Sequence, residues 1–277
     1  MYNSTEHETL KAMSARLVDI FVQVERAWQA KYGYYGYVFP YDPIVFDYLE
    51  FKLPAPQPRV YSVPFYTTHK IMAGLLDQYL LAGNEQAFAL LLRMANWVKG
   101  NVEAVLEMGG EEQWQKTLNT EWGGMNEVLY NLFEVTGNVS HLETGRYFNK
   151  WKFSTFLHTQ FTVLACLSGN LLLPLYAAAP LASGDDILGG LHANTHIPEV
   201  IGNMKAYELT SNETDKAIAT EFFSAIVSNH SYATAGSNTN EHWGVSNQLG
   251  DGLDDTTEES CTQYNILKAS AQYMQRT

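Results

Sequence analysis

Three stretches of this chain are built to one plan, and that plan limits the fold more than any other feature. "HKIMAGLLDQYLLAGNEQAFALLLRMANWV" (69–98) is an apolar helical pattern, a turn at Gly83-Asn84 and a second apolar helical pattern. "GGMNEVLYNLFEVTGNVSHLETGRYF" (123–148) repeats it around Gly137-Asn138, and "PEVIGNMKAYELTSNETDKAIATEFFSAIV" (198–227) around Ser211-Asn212. Each unit reads as a helical hairpin whose turn residues accept left-handed or capping backbone. Helices this apolar must stack on neighbours to hide that surface. The chain is therefore expected to be all-α. Periodicity alone suits an α/α toroid and an ordinary helical bundle equally well.

The start of the chain reads the same way. Thr5 and Glu8 form a capping-box signature. Leu10, Met13, Leu17, Ile20, Phe21, Val24 and Trp28 then recur at three- and four-residue steps, which predicts a helix with that face inward and a stop at Gly33. The following "YGYYGYVFPYDP" is broken by Gly and Pro, so it is expected to be a loop, with aromatic rings suited to lining a sugar site.

At 277 residues, 46% of them hydrophobic, the chain can bury a large core as a single domain. Its formal charge of −13 argues against phosphate-backbone partners, so no nucleic-acid partner is expected. Two cysteines, Cys166 and Cys261, do not make a disulfide framework. The polar opening "MYNSTEHETLKAMS" is unlike a signal peptide. Sequons at Asn3, Asn138, Asn212 and Asn229 nevertheless favour a secreted or secretory-pathway location. The uncharged tract Phe161–Ala182 has the length of a membrane span. Gly169-Asn170, Pro174 and Pro180 interrupt it, and no membrane partner is expected.

Chemistry is expected in the long loops, above all "SYATAGSNTNEHWGVSNQLGDGLDDTTEES". Glu241 in "NTNEHW" suits a general acid set against the aromatic wall of Trp243; the alternative is a solvated loop carboxylate. Glu259 and Cys261, two residues apart at a helix start, have the donor chemistry for one Zn²⁺. A tetrahedral site needs two more ligands, and a buried inert Cys is the competing reading. His192 and His196 in "LHANTHIP", with His69 in "YTTHKIMAGLLD", stand at hairpin entries where they bind a ligand or cap a helix.

Five strings occur in order: "FYTTHKIMAGLLDQYLLAGN", "EWGGMNEVLY", "LHANTHIPEVIG", "HSYATAGSNTNEHW" and "EESCTQYNILK". Together they resemble glycoside hydrolase family 127, the β-L-arabinofuranosidase-like family. The resemblance implies an (α/α)6 barrel of the six-hairpin type and a retaining, zinc-dependent glycosidase acting on an oligosaccharide or glycoprotein glycan. In that family a zinc-held cysteine thiolate is the nucleophile and a glutamate the acid/base. By position Glu241 resembles the acid/base, and Glu259 and Cys261 two of the zinc ligands. His192, His69 and Asn126 resemble sugar-binding residues. The family's other zinc ligands include an adjacent Cys-Cys pair downstream. This chain has no such pair, and Thr277 follows Cys261 by 16 residues. The expectation is an incomplete barrel over residues 1–277, with an insertion at about 157–180, that is inactive alone. A non-catalytic carbohydrate-binding pseudoenzyme is the alternative.

Overall fold

The computed structural model describes residues 2–54, 63–118, 123–150, 186 and 188–274. The tract Phe161–Ala182, with Cys166 and the expected insertion, lies outside them. The described residues are helical, with β-bridges but no strand among them, as an all-α chain requires. The chain divides into two compact units, Met1–Phe148 and Asn149–Thr277.

In the first unit α1 spans Tyr2–Thr5, α2 Glu8–Tyr32, α3 Ile44–Leu49, α4 Pro64–Ala82, α5 Glu85–Thr117, α6 Met125–Thr136 and α7 Val139–Tyr147. The second unit has α8 (Ala193–Thr210), α9 (Glu213–Ala225), a π-helical turn at Ile226–His230, a 3₁₀ turn at Leu249–Gly252, and α10 (Ser260–Met274). The three repeats are the pairs α4/α5, α6/α7 and α8/α9.

Each pair turns by the same device. The first helix ends in a left-handed residue: Gly83 (φ 69), Gly137 (φ 66) or Ser211 (φ 54). The next residue is an extended Asn that caps the second helix. The Oδ1 atoms of Asn84, Asn138 and Asn212 accept from the amides of Ala87, Ser140 and Thr214. The left-handed residue frees the first helix's last carbonyls for bonding, and the Asn occupies an orphan donor of the second. Helix α8 begins before the expected repeat. It starts at Ala193 and carries Pro198 inside it. A proline in a helix interior has no N–H for the carbonyl four residues back, here that of Asn194.

The first unit's core is an edge-to-face aromatic network. Phe46 meets Tyr37, Phe65 and Trp97, and Trp114 closes on Phe65 and Phe148. The tract after Gly33 is a loop as expected. Tyr37 and Phe39 in it are core residues rather than a lining, while Tyr35 and Tyr41 remain exposed. It is pinned by Glu25, which accepts two 2.6 Å hydrogen bonds from Arg93 and one from the Gly36 amide. Gly36 has φ 77, and a Cβ there would lie 2.1 Å from the Arg93 carbonyl oxygen.

Helix α2 departs from expectation at its start and over part of its face, for Phe21, Val24 and Trp28 pack against the core as expected. Thr5 ends the short α1, and the residue capping α2 is His7, with no side-chain cap. The buried side chains are Val18, Val22 and Glu25, whereas Met13, Leu17 and Ile20 are exposed. Tertiary pairing of Glu25 with Arg93 and Gly36 turns that face inward, a constraint that hydrophobic spacing does not contain.

The second unit packs α8 against α9 and α10 around Ile197, Ile201, Phe222, Trp243 and Ile266. The fully buried Trp243 meets the Phe222 ring edge-on at 5.6 Å.

Candidate active site

The second unit brings together His192 and Glu241. Residues on either side of them form a short antiparallel pairing. The Gly190 amide donates to the Trp243 carbonyl at 2.8 Å, Trp243 donates to Leu191 at 3.0 Å, and Ala193 donates to Glu241 at 2.8 Å. The last of these explains why α8 needs no side-chain cap at His192. Its first amide is satisfied by the Glu241 carbonyl, which ties the loop to the helix N-terminus. Asn240 (φ 47) and Glu241 (φ 64) adopt left-handed backbone. That break sends Glu241 outward, its side chain 57% exposed, while Trp243 enters the core. The ring beside Glu241 is thus His192, not Trp243. His192 Nε2 lies 3.3 Å from Glu241 Oε2. The His242 ring stands edge-on to His192, centroids 5.0 Å apart, and its Nδ1 donates to the Asn240 carbonyl at 2.7 Å.

Behind this pair is a buried polar layer that sequence reasoning did not single out. Asp186 accepts from the Leu188 amide (3.0 Å), from Asn229 Nδ2 (2.9 Å) and from the fully buried His230 Nε2 (2.6 Å). Burial alone would raise the Asp186 carboxyl. Those donors and the adjacent imidazole outweigh it and hold the group below its usual range. Trp243 is flanked by the rings of His196 and His230, each at 6.4 Å. His196 donates from Nδ1 to the His192 carbonyl at 2.8 Å, and burial pushes its imidazole down to about 4. It is a neutral structural histidine. The only sequence signal for Asp186 is its position just before "LGGLHANTHIP".

Glu259 and Cys261 stand at the start of α10. Burial and the neighbouring Glu259 carboxylate push the Cys261 thiol up to about 11. Glu259 Oε2 is buried and has no hydrogen-bond partner. An orphaned carboxylate oxygen beside a half-buried thiol is a donor set that suits a thiophilic divalent cation. Among the described residues no group of three or more His, Cys, Asp or Glu side chains is arranged to hold a metal. Asn265, on the same helix, donates to the Asn194 side chain on α8 and so links α10 to the helix that begins beside His192.

His69 and Asn126 belong to the first unit. His69 is buried on α4 and meets the Tyr66 ring edge-on at 5.0 Å. A Cβ on Gly123 would lie 2.4 Å from its Nδ1, so the "GGMNE" segment lies directly against the imidazole. Asn126, fully buried in the first turn of α6, accepts the Glu127 amide at 2.8 Å.

The second unit is thus a set of α-helices with one loop that holds a carboxylate beside an imidazole at the start of α8. The family model for the β-L-arabinofuranosidase GH127 catalytic domain matches residues 1–277, and the chain belongs to that family of glycoside hydrolases. A search of curated proteins found no match. No helix among the described residues is long and apolar enough to cross a membrane.

Proposed function

We propose that this chain carries the acid/base and part of the metal centre of a retaining, zinc-dependent glycosidase that removes L-arabinofuranose from the non-reducing end of a glycan. The observation that carries the reading is the 3.3 Å approach of His192 to Glu241 on a loop bonded to the start of α8. Glu241 protonates the departing glycosidic oxygen, then takes a proton from the water that completes the reaction. His192 meets the carboxylate through Nε2, and it steadies Glu241 and a sugar hydroxyl in turn. His69 and Asn126 are assigned to sugar hydroxyls on the family resemblance. Glu259 and Cys261 would hold Zn²⁺, which when bound keeps a thiolate available at neutral pH. The orphaned Glu259 Oε2 supports that assignment. The (α/α)6 barrel is assigned on the family resemblance.

The test is made on a version of the protein extended to include a Cys-Cys pair. It is expected to release the aglycone from an aryl β-L-arabinofuranoside in the presence of zinc. Glu241→Gln is expected to abolish turnover of poor leaving groups at unchanged zinc content, and normal turnover would refute the acid/base role. Cys261→Ser is expected to lower bound zinc, and unchanged stoichiometry would remove Cys261 from the site. Sugar binding without turnover would favour a pseudoenzyme.

A further inference from the structure

Four sequons are present in the sequence, and three of them lie in or after helical hairpins, where the structure separates them sharply. We infer that Asn138 and Asn212 are attachment sites for N-linked glycans in the folded protein and that Asn229 is closed to one.

At Asn138 and Asn212 the helix cap uses only the side-chain oxygen. Oδ1 accepts from the amide of Ser140 at 3.1 Å and of Thr214 at 3.0 Å, the two residues that complete the sequons. Nδ2 is left out of the cap, and both asparagines are exposed at the tips of their hairpins. Capping and glycosylation therefore draw on different atoms of one amide, so a linked sugar leaves the hairpin turn intact. The first hairpin is an internal control. Asn84 also caps its helix through Oδ1, on the amide of Ala87, but Gln86 stands where a sequon needs a hydroxyl.

Asn229 is the opposite case. Its Nδ2 donates to Asp186 at 2.9 Å, and the sequon hydroxyl of Ser231 donates to the Ile226 carbonyl at 2.9 Å. The residue between them, His230, is fully buried and bonded to the same aspartate. A sugar on this nitrogen would sit against Asp186 and displace the layer behind Trp243.

The placement also keeps the Asn212 glycan away from the His192–Glu241 pair. Asn212 follows the C-terminus of α8, whose 18 residues at about 1.5 Å each separate it by roughly 27 Å from His192 at the other end. Asn138 likewise lies beyond the far end of α6 from Asn126.

The modification is a group transfer from an oligosaccharide on a polyprenyl pyrophosphate. A bond forms between Nδ2 and sugar C1 as the C1–oxygen bond to pyrophosphate breaks. The pyrophosphate leaves with the electron pair, and one amide proton goes to a base on the transferase.

The full chain, directed into the secretory lumen of a eukaryotic host, tests this. The soluble, folded fraction is treated with an amidase that converts each glycosylated Asn to Asp, in ¹⁸O water, and mapped by peptide mass spectrometry. Label is expected at positions 138 and 212 and not at 229. Ser140→Ala and Thr214→Ala each remove a sequon but keep the backbone amide that makes the cap. Each is expected to lose one glycan with unchanged circular dichroism. Unlabelled Asn138 and Asn212, or labelled Asn229 in the folded fraction, would overturn the inference. The readout is mass, so it stands apart from whether the protein cleaves a glycoside.

Discussion

The first and second units share a hairpin but spend their buried polar groups differently. In the first, Glu25 joins Arg93 and Gly36 across the sequence, and the fully buried Glu50 binds Lys52 at 2.6 Å and Asn101 at 2.6 Å. These contacts fasten loops to helices. In the second, His196 and His230 flank Trp243, with Asp186 bonded to His230, behind a pairing that presents Glu241 and His192 outward. Glu241 stands at positive φ and His192 at the extended cap of α8, while behind them Trp243 comes from the same loop, His230 from the π-helical turn and His196 from α8. The lesson is that in this chain the helical frame and the chemistry are coded by different residues, so each can be perturbed without the other.

The largest effect is expected from the two indoles buried among the described residues. Trp114→Ala and Trp243→Ala should each cost about 3–5 kcal/mol in urea unfolding. Hydrogen exchange resolved by peptide should place the loss in the unit that holds the Trp. Equal loosening of both units by either variant would break the distinction.

Acidification should push the units in opposite directions through two groups. Burial raises Glu50 from its ordinary 4.5 to about 7, with Lys52 opposing. Its contribution to the first unit is therefore full below about pH 4.5 and lost as pH rises through 7. His196 is lowered to about 4, so its contribution to the second unit is present above about pH 6.5 and lost as pH falls towards 4. Burial also lowers His141 in the first unit, which works against Glu50 there. Glu50→Gln should remove the first dependence and His196→Asn the second, read by exchange rates between pH 4.5 and 7. Unaltered pH profiles in both variants would discard this account.

Smaller effects sharpen the likeness of the hairpins. Asn84→Ala, Asn138→Ala and Asn212→Ala should each cost about 1 kcal/mol of stability, by loss of a cap. Ser211→Gly should gain about 0.5–1 kcal/mol, since Ser211 holds φ 54 where the other two turns have glycine. A loss on Ser211→Gly would mean the Ser side chain does something the geometry does not reveal.

The hairpins were legible in the sequence because their signals are local: a left-handed residue, an Asn cap and apolar helices on both sides. The inward face of α2 was legible only in part: Phe21, Val24 and Trp28 pack on the core, but the burial of Glu25 could not be read because its partners lie 11 and 68 residues away. For the same reason the expected Trp243 wall became a core residue. Adjacent letters in "NTNEHW" do not reveal that positive φ at Asn240 and Glu241 parts the two side chains. Glu259 and Cys261 were legible as neighbours, and the structure adds the orphaned oxygen that makes them look like donors. Asp186 and His230, 44 residues apart, carried almost no local signal.

The Gly-Asn or Ser-Asn turn has a consequence for how the chain is made. Each of the three hairpin turns is written in two adjacent positions, so each hairpin closes using contacts that are short-range along the polypeptide. Such contacts form quickly and need little search. As the ribosome extends the chain, each hairpin is able to fold once its second helix has emerged, ahead of the long-range bonds that anchor the loops.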